Sequence, residues 1–105
     1  MRVLVAFEDT YRFYRETMAA CIQIKRPDAE VETAGLETLE EKLEQFAPQV
    51  VICSSEMAIN PNDELAWIEL SVHLNMPARI RVHGCWRTMT NPTLDHLLAL
   101  IDEIV

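Results

Sequence analysis

Apolar residues in the first half of the chain follow two patterns that alternate along the sequence. Continuous apolar runs at 3–7 and 50–53, with a less apolar one at 30–34, are typical of strands buried within a sheet. Between these runs the apolar residues recur at helical spacing, at Tyr14, Met18, Cys21 and Ile22 and then at Leu39, Leu43 and Phe46. This β-α-β-α-β order predicts right-handed crossovers and a parallel sheet.

Residues that start and stop helices stand at the ends of the two helical segments. Asp9 or Thr10 is suited to cap the first helix, and Pro27 ends it. A capping box that begins at Thr38 starts the second helix, which ends at Pro48.

The second half of the chain alternates apolar and polar residues instead. Residues 66–72 and 79–88 both alternate, and the short turn that joins them predicts an antiparallel hairpin with one face in water. A helix over 64–74 is the alternative for the first segment. The alternation in the second segment places Ile80, Val82, Gly84 and Trp86 on one face and Arg79, Arg81, His83, Cys85 and Arg87 on the other.

The end of the chain carries the clearest helical stripe. Thr90 or Asn91 is suited to cap this helix and Pro92 to open it, and the leucines that follow predict an amphipathic helix over 92–104. Together the patterns predict one α/β domain over residues 1–105. It has three layers, with helices on both faces of a mainly parallel sheet of about five strands.

Composition narrows the classes of function. The net charge is −8 and there is no extended basic run, so nucleic acids and acidic membranes are not expected partners. Two glycines are too few for a glycine-rich phosphate loop. Three widely spaced cysteines indicate reduced thiols and a cytoplasmic location. The apolar run that opens the chain is too short for a signal peptide or a membrane span.

Three stretches of the first half resemble the receiver domains of response regulators, which have a flavodoxin-like fold. Residues 3–9 resemble the first receiver strand with its acidic pair, and 31–34 followed by Leu39 resemble the second strand and helix. Residues 48–54 resemble the third strand, with Met57 at the position of the family's methionine. The resemblance covers about residues 2–57.

The same resemblance implies that the phosphorylation chemistry is missing. Receivers hold Mg²⁺ between the acidic pair and an aspartate, which accepts a phosphoryl group from a histidine kinase. Ser54 stands at the place of that aspartate, and a neutral hydroxyl neither supplies charge for Mg²⁺ nor forms an acyl phosphate. The family also needs a lysine at the end of its last strand, but the two lysines here, Lys25 and Lys42, lie on predicted helices. The chain resembles a degenerate receiver.

The carboxyl ends of the first and third strands are the first candidate site. With strand order 2-1-3, these ends meet where the strand order reverses, which is where ligands bind in such sheets. The side chains that would line this rim are Glu8, Asp9, Ser54, Ser55 and Glu56, with Asp63 beside them. They could bind Mg²⁺ or Ca²⁺ weakly, and no other cofactor is expected. Alternatively, Glu8 and Asp9 only favour a helix start, where a negative charge gains about 0.3–1 kcal/mol.

Cys53, His83 and Cys85 form the second candidate site. His83 and Cys85 share a predicted strand face, and Cys53 ends a neighbouring buried strand. The three could bind Zn²⁺, or Cys53 and His83 could be the nucleophilic pair of a cysteine-dependent enzyme. The alternative is that Cys53 is a small core residue, as buried cysteines usually are.

Arg79, Arg81 and Arg87 form the third candidate site, since with His83 they share a predicted strand face that lacks acids. Guanidinium groups in such a row could bind a phosphate, a carboxylate or an acidic partner. The alternatives are an edge strand protected by charge, or pairing across strands, such as Glu69 with Arg81. A basic row on an acidic protein also indicates self-association.

These observations predict a non-enzymatic, receiver-like regulatory or protein-interaction module that is a homodimer or binds a protein partner. Trp67 and Trp86 would support an interface if the fold leaves them exposed. A protein that binds a small ligand or a divalent metal at the rim is the second hypothesis. A cysteine-dependent enzyme is the third.

Overall fold

The computed structural model describes residues 1–35, 37–54, 66–70, 77–82, 84–90 and 92–104. These residues form one six-stranded sheet with three α-helices. The strands are β1 (Arg2–Ala6), β2 (Glu30–Ala34), β3 (Val50–Ser54), β4 (Ala66–Leu70), β5 (Ala78–Val82) and β6 (Cys85–Met89). The helices are α1 (Arg12–Lys25), α2 (Leu39–Gln45) and α3 (Leu94–Ile104).

The sheet is parallel in its first half and antiparallel in its second. Its strand order is β2-β1-β3-β4-β5-β6. β1 pairs in parallel with β2 and β3, and β3 pairs in parallel with β4, whereas β4–β5 and β5–β6 are antiparallel. The α/β class and the parallel β2-β1-β3 arrangement are thereby confirmed. The expected sheet of about five mainly parallel strands is wrong in detail, because the sheet is mixed and has six strands.

The predicted hairpin is confirmed in its pairing and wrong in its length. Residues 66–70 are a strand, so the helical alternative fails there, and 71–76 lie outside the described residues. The second segment, 79–88, is divided at Gly84, where φ is +78° and the chain turns from β5 into β6. A left-handed φ suits glycine because that residue has no Cβ.

This turn reverses the predicted faces of β6. Arg81 lies opposite Trp86, and Ile80 lies opposite Arg87. Trp86 therefore shares a face with Arg81, and Arg87 shares the opposite face with Ile80. The prediction is wrong because it continues the alternation of faces through a tight turn. A hairpin turn determines anew which side chains of its two strands share a face.

The core consists of two apolar layers, one on each face of the sheet. The face that α1 and α3 cover includes Val3, Val5, Phe7, Val50, Ile52, Ile68 and Ile80. The face that α2 covers includes Leu4, Ala6, Val51, Cys53 and Trp67. β1 and β3 contribute to both layers, which explains why their apolar runs are continuous rather than alternating.

The last helix begins two residues later than predicted. Its amino end is held by Thr93, whose Oγ1 accepts from the His96 backbone N–H at 3.3 Å, while His96 Nδ1 accepts from the Thr93 backbone N–H at 3.1 Å. This reciprocal pair has the logic of a capping box, with a histidine in place of the usual glutamate. Thr90 is therefore wrong as a predicted cap, and Asn91 lies outside the described residues. Within the described ranges, every helix is too short or too polar to cross a bilayer.

Candidate functional site at the carboxyl ends of the parallel strands

The acidic pair after β1 stands at the start of a short 3-10 turn, Asp9–Tyr11, which Glu8 precedes and which separates the strand from α1. The Tyr11 N–H donates to the Glu8 carbonyl at 2.9 Å and closes this turn. The residue before α1 is Tyr11, and no side chain caps the helix. Asp9 and Thr10 were therefore wrong as caps, because the turn sets α1 back from them.

Glu8 and Ser54 meet at the point where the strand order reverses. The Ser54 hydroxyl, which is only 2% exposed, donates a hydrogen bond to Glu8 Oε1. The structure thus brings together one residue from each of the two predicted strand ends. Ser55, Glu56 and Asp63 lie outside the described residues.

The Arg15 side chain lies beside Asp9 and connects the carboxyl ends of β1 and β2. Its guanidinium is buried, and Nη1 donates to the Phe7 carbonyl at 2.8 Å and lies 3.4 Å from the Ala34 carbonyl. The same nitrogen is 3.3 Å from Asp9 Oδ1. The Arg15 Nε–H is buried and has no partner within the described chain.

Sequence reasoning missed Arg15, although the spacing carried a signal. Arg15, Met18 and Ile22 are the inward residues of α1, at i, i+3 and i+7. An arginine at this spacing faces the sheet, where its charge requires carbonyl or carboxylate partners. The predicted stripe included Tyr14, which is instead about half exposed.

A cavity of about 470 Å³ opens between the loops that follow β1 and β2. Its lining includes the carboxylates of Glu8, Asp9 and Glu37, the hydroxyls of Thr10, Thr33 and Thr38, and the Arg15 guanidinium. Gly35 also lines the cavity and packs closely on the Asp9–Arg15 pair, since a Cβ there would stand 3.2 Å from Asp9 Oδ1 and 3.3 Å from Arg15 Nη1. Within the described ranges, no three of His, Cys, Asp and Glu converge on one metal position.

The predicted thiol and imidazole cluster does not assemble from its described members. Cys53 is fully buried on β3, whereas Cys85 is exposed on β6, three strands away and roughly 14 Å distant at the usual strand spacing. The two also point to opposite faces of the sheet, since Cys85 is paired with Val82. Zn–S bonds are about 2.3 Å long, so the two thiols cannot share a metal. His83 lies outside the described residues.

The Cys53 thiol is held in its neutral form. Burial raises the pKa of this thiol, and the negative charges of Glu69 and Glu8 raise it further. The Trp67 indole beside it acts in the opposite direction. Burial has the largest effect on the pKa of the thiol. The effect of Trp67 is small, since its Nε1–H makes no hydrogen bond of ordinary geometry in the described part of the chain.

The three arginines divide between the two faces of the sheet. Arg79 and Arg81 lie on the α2 side, where their guanidinium carbons are 4.4 and 5.8 Å from the Trp86 ring centre. Arg87 lies on the other side and pairs with Glu103 of α3 at 3.2 Å. The predicted single row of Arg79, Arg81 and Arg87 is therefore wrong, for the same reason as the reversed faces of β6.

The cross-strand partner of Glu69 also differs from the prediction. Glu69 is opposite Arg79 and pairs with it at 3.5 Å, whereas Arg81 is opposite Trp67 and is largely buried. Trp67 is fully buried and cannot serve an interface, while Trp86 is 42% exposed.

The chain was compared with protein-family models, with curated proteins and with solved structures, and none of them gave a significant match. The receiver resemblance therefore rests on the residues of this sequence alone, and it stays a prediction.

Proposed function

We propose that this protein is a non-enzymatic, receiver-like regulatory module that acts by binding protein and does not take up a phosphoryl group on an aspartate. The observation that supports this function best is the hydrogen bond from buried Ser54 to Glu8. It occupies an oxygen of the acidic pair with a neutral hydroxyl, at the place where a receiver would hold its metal and its phosphoacceptor.

The state of Cys53 supports the absence of thiol catalysis. The thiolate is the nucleophile in cysteine chemistry, and a buried thiol with a raised pKa stays protonated at neutral pH. The described part of the chain also brings no imidazole to Cys53. A cysteine-dependent enzyme is accordingly the least supported of the three hypotheses.

Phosphoryl uptake can be tested with a small-molecule donor. The protein is incubated with acetyl phosphate and Mg²⁺, and its intact mass is measured against an untreated sample. We expect no added phosphoryl group. A hydroxylamine-sensitive mass increase on the folded protein would overturn the proposal, because hydroxylamine cleaves acyl phosphates.

Thiol reactivity gives a second test with an internal control. Iodoacetamide at neutral pH should label exposed Cys85 and leave Cys53 unlabelled until the protein is unfolded. Peptide mass spectrometry distinguishes the two sites. Labelling of Cys53 at a rate equal to that of Cys85 would contradict the non-enzymatic assignment.

The cavity between β1 and β2 supports a second candidate function, the binding of a small polar ligand. Its lining combines acidic residues with Arg15. Such a mixed lining suits a small zwitterion better than a bare metal ion, which would need several converging carboxylates.

Thermal melts against free amino acids, Mg²⁺ and Ca²⁺ test the second candidate. A ligand that binds only the folded state raises the melting temperature with concentration, as mass action requires. A rise with an amino acid that is lost in the Thr38→Lys variant would place the ligand in the cavity. If no compound raises the melting temperature, this function is rejected.

A further inference from the structure

The outer face of α1 carries a stripe without charged residues, mostly apolar, that no other part of the described chain covers. Phe13, Thr17, Ala20 and Ile24 are spaced i, i+4, i+7 and i+11, which aligns them along one side of a helix. All four are exposed, and the two largest, Phe13 and Ile24, are 77% and 75% exposed. Tyr14, beside the stripe, is 49% exposed.

The neighbouring helix, α3, has a mostly polar exposed side, which allows a comparison within the same layer. α1 and α3 cover the same face of the sheet, and the exposed residues of α3 are Asp95, His96, Ala99, Asp102 and Glu103. Four of these five are polar or charged. Single exposed apolar residues are ordinary, but a continuous stripe on one of two neighbouring helices indicates an interaction surface.

A shallow apolar groove of about 190 Å³ lies along one flank of the stripe, between α1 and α3. Tyr14, Thr17, Met18 and Cys21 line it from α1, and Leu94 and Leu97 line it from the α3 side. The same surface therefore offers both protruding side chains and a depression. In a two-fold symmetric interface each copy presents the same patch, so the stripe of one copy meets the stripe of the other and the two grooves lie on the same side of the contact.

We infer that a second copy of this chain covers the stripe, with α1 packed antiparallel against the α1 helix of that copy. In one register Phe13 lies opposite the partner's Ile24, and Thr17 lies opposite the partner's Ala20. Each large residue then meets a large one at the ends of the contact. The small residues meet in the middle, where they let the helix axes approach closely.

The flanks of the stripe are compatible with this arrangement. Arg12, Glu16 and Gln23 follow one flank of α1, and Lys25 follows the other, as the helical rotation of 100° per residue requires. A two-fold axis across the helices brings each flank against the same flank of the partner. Arg12 and the partner's Lys25 therefore fall on opposite sides of the contact, and Glu16 lies beside the partner's Gln23.

The area available is that of a weak dimer, whose formation depends on the protein concentration. At about 150–250 Å² for a fully buried aromatic side chain, the exposed parts of Phe13 and Tyr14 amount to roughly 250 Å² in each copy. Ile24 adds on the order of 100 Å². Two copies thus contribute about 700 Å² from six side chains, and Thr17, Ala20 and the flanks bring the total near roughly 1,000 Å². This is the lower bound for a biological interface and less than the roughly 1,200–2,000 Å² of stable complexes, so we expect association at high micromolar concentration.

A matched pair of alanine substitutions tests the dimer. Ala20→Lys and Ala99→Lys both change an exposed helical alanine, and both place the lysine four residues after an acid, Glu16 or Asp95. Only the first lies in the stripe, where it sets two lysines close together across the two-fold axis. We expect wild type and Ala99→Lys to sediment as dimers at high micromolar concentration, with a reducing agent present because Cys85 is exposed. Ala20→Lys should raise the dissociation constant at least about 30-fold.

Mixing two stripe variants separates lost association from lost folding. Ala20→Glu alone should also be monomeric, whereas an equimolar mixture of Ala20→Lys and Ala20→Glu should recover the dimer through opposite charges at the centre. A monomeric wild type, equal behaviour of Ala20→Lys and Ala99→Lys, or no recovery in the mixture would each overturn the inference. The dimer is one way for the proposed module to bind protein, so this inference rests on the proposed function. The acetyl phosphate test does not depend on the dimer, so the proposed function and the dimer can each fail while the other stands.

Discussion

At the scale of single residues, Arg15 has a structural role that the prediction overlooked, although its helical spacing indicated an inward position. Arg15 is one of several charged residues of α1, yet it is buried and donates to the carbonyl of Phe7, just after β1, and to that of Ala34, the last residue of β2. A guanidinium has five donors and can satisfy carbonyls from separate strands at once. Glu8, by contrast, was predicted from its position at a strand end. Its hydrogen bond with Ser54 depends on the register between β1 and β3, which the properties of a single residue do not determine.

Replacing Arg15 tests this role. Arg15→Met keeps the length of the side chain but leaves the Phe7 and Ala34 carbonyls without their donor, so we expect the free energy of unfolding to fall by about 1–3 kcal/mol. Urea unfolding measures the change. The control is Arg12→Met on the same helix, where an exposed arginine is lost and the change should stay within about 0.5 kcal/mol. Equal effects of the two substitutions would show that Arg15 has no special role.

Cys53 should give stability a defined pH dependence. The pKa of its thiol is raised in the folded state above the ordinary value of 9.0, so the folded protein keeps a proton that the unfolded chain releases above that pH. This contribution to stability is complete below pH 9 and is lost as the pH rises above it, with a limiting slope of about 1.4 kcal/mol per pH unit.

Urea unfolding at pH 8, 9 and 10 under reducing conditions compares wild type with Cys53→Ala. The variant starts from a lower stability, because it loses buried volume, but should show a shallower decline between pH 9 and 10. Other groups that titrate in this range, such as tyrosines, affect both proteins alike. Parallel declines would show that the Cys53 thiol ionises as freely in the folded state as in the unfolded chain.

At the scale of elements, the apolar pattern predicted strands in every region where the described chain has them, but it took β5 and β6 for one strand. The continuous runs of β1 and β3 and the stripe of α3 are long and unambiguous, and these elements were confirmed. The failures occur where one residue changes the direction of the chain. Gly84 divides a ten-residue alternating segment into β5 and β6, and because alternation continues on both sides of the turn, the pattern alone does not reveal it.

Two left-handed backbone positions give matched predictions about turns. Ala47, two residues after the end of α2, has φ +49°, and Gly84 has φ +78°. Left-handed backbone costs a residue with a Cβ about 1–2 kcal/mol relative to glycine. Ala47→Gly should therefore raise the free energy of unfolding by roughly 1 kcal/mol, and Gly84→Ala should lower it by a similar amount.

Differences in packing do not account for these effects. A Cβ at Gly84 would meet no atom within 4 Å, so the expected loss is a backbone effect alone. Gly84→Asn serves as the control, since asparagine tolerates the left-handed region better than alanine and should lose less stability. Denaturant unfolding of the three variants gives the ranking. A stabilising Gly84→Ala would show that the turn does not need a left-handed residue.

At the scale of the whole molecule, the sequence predicted where the parallel strand ends would meet, but not which of them would form a cavity. The reversal of strand order placed Glu8 beside Ser54, as expected from the 2-1-3 arrangement. The cavity formed instead between the loops after β1 and β2, where Gly35 is followed by a loop that bonds back to it through the Thr38 hydroxyl, 3.2 Å from the Gly35 nitrogen. Loop shape of this kind depends on contacts between segments distant in sequence, so a pattern along the chain does not determine it.

The charge of the whole molecule predicts how salt affects its stability. The net charge is −8, and the ion pairs on the surface, such as Arg26 with Asp102 and Arg87 with Glu103, join partly exposed groups that contribute little. Raising NaCl from 0.01 to 0.3 M shortens the screening length from about 30 Å to below 10 Å and weakens the general repulsion more than these short contacts. The free energy of unfolding should rise by up to about 1 kcal/mol, or a few degrees in Tm.

Tetramethylammonium chloride at equal ionic strength separates screening from cation binding, because its bulky cation cannot be coordinated by the carboxylates of the cavity. Equal rises in the two salts indicate screening, a larger rise with NaCl indicates Na⁺ bound to the protein, and a fall in both would show that the ion pairs outweigh the net repulsion.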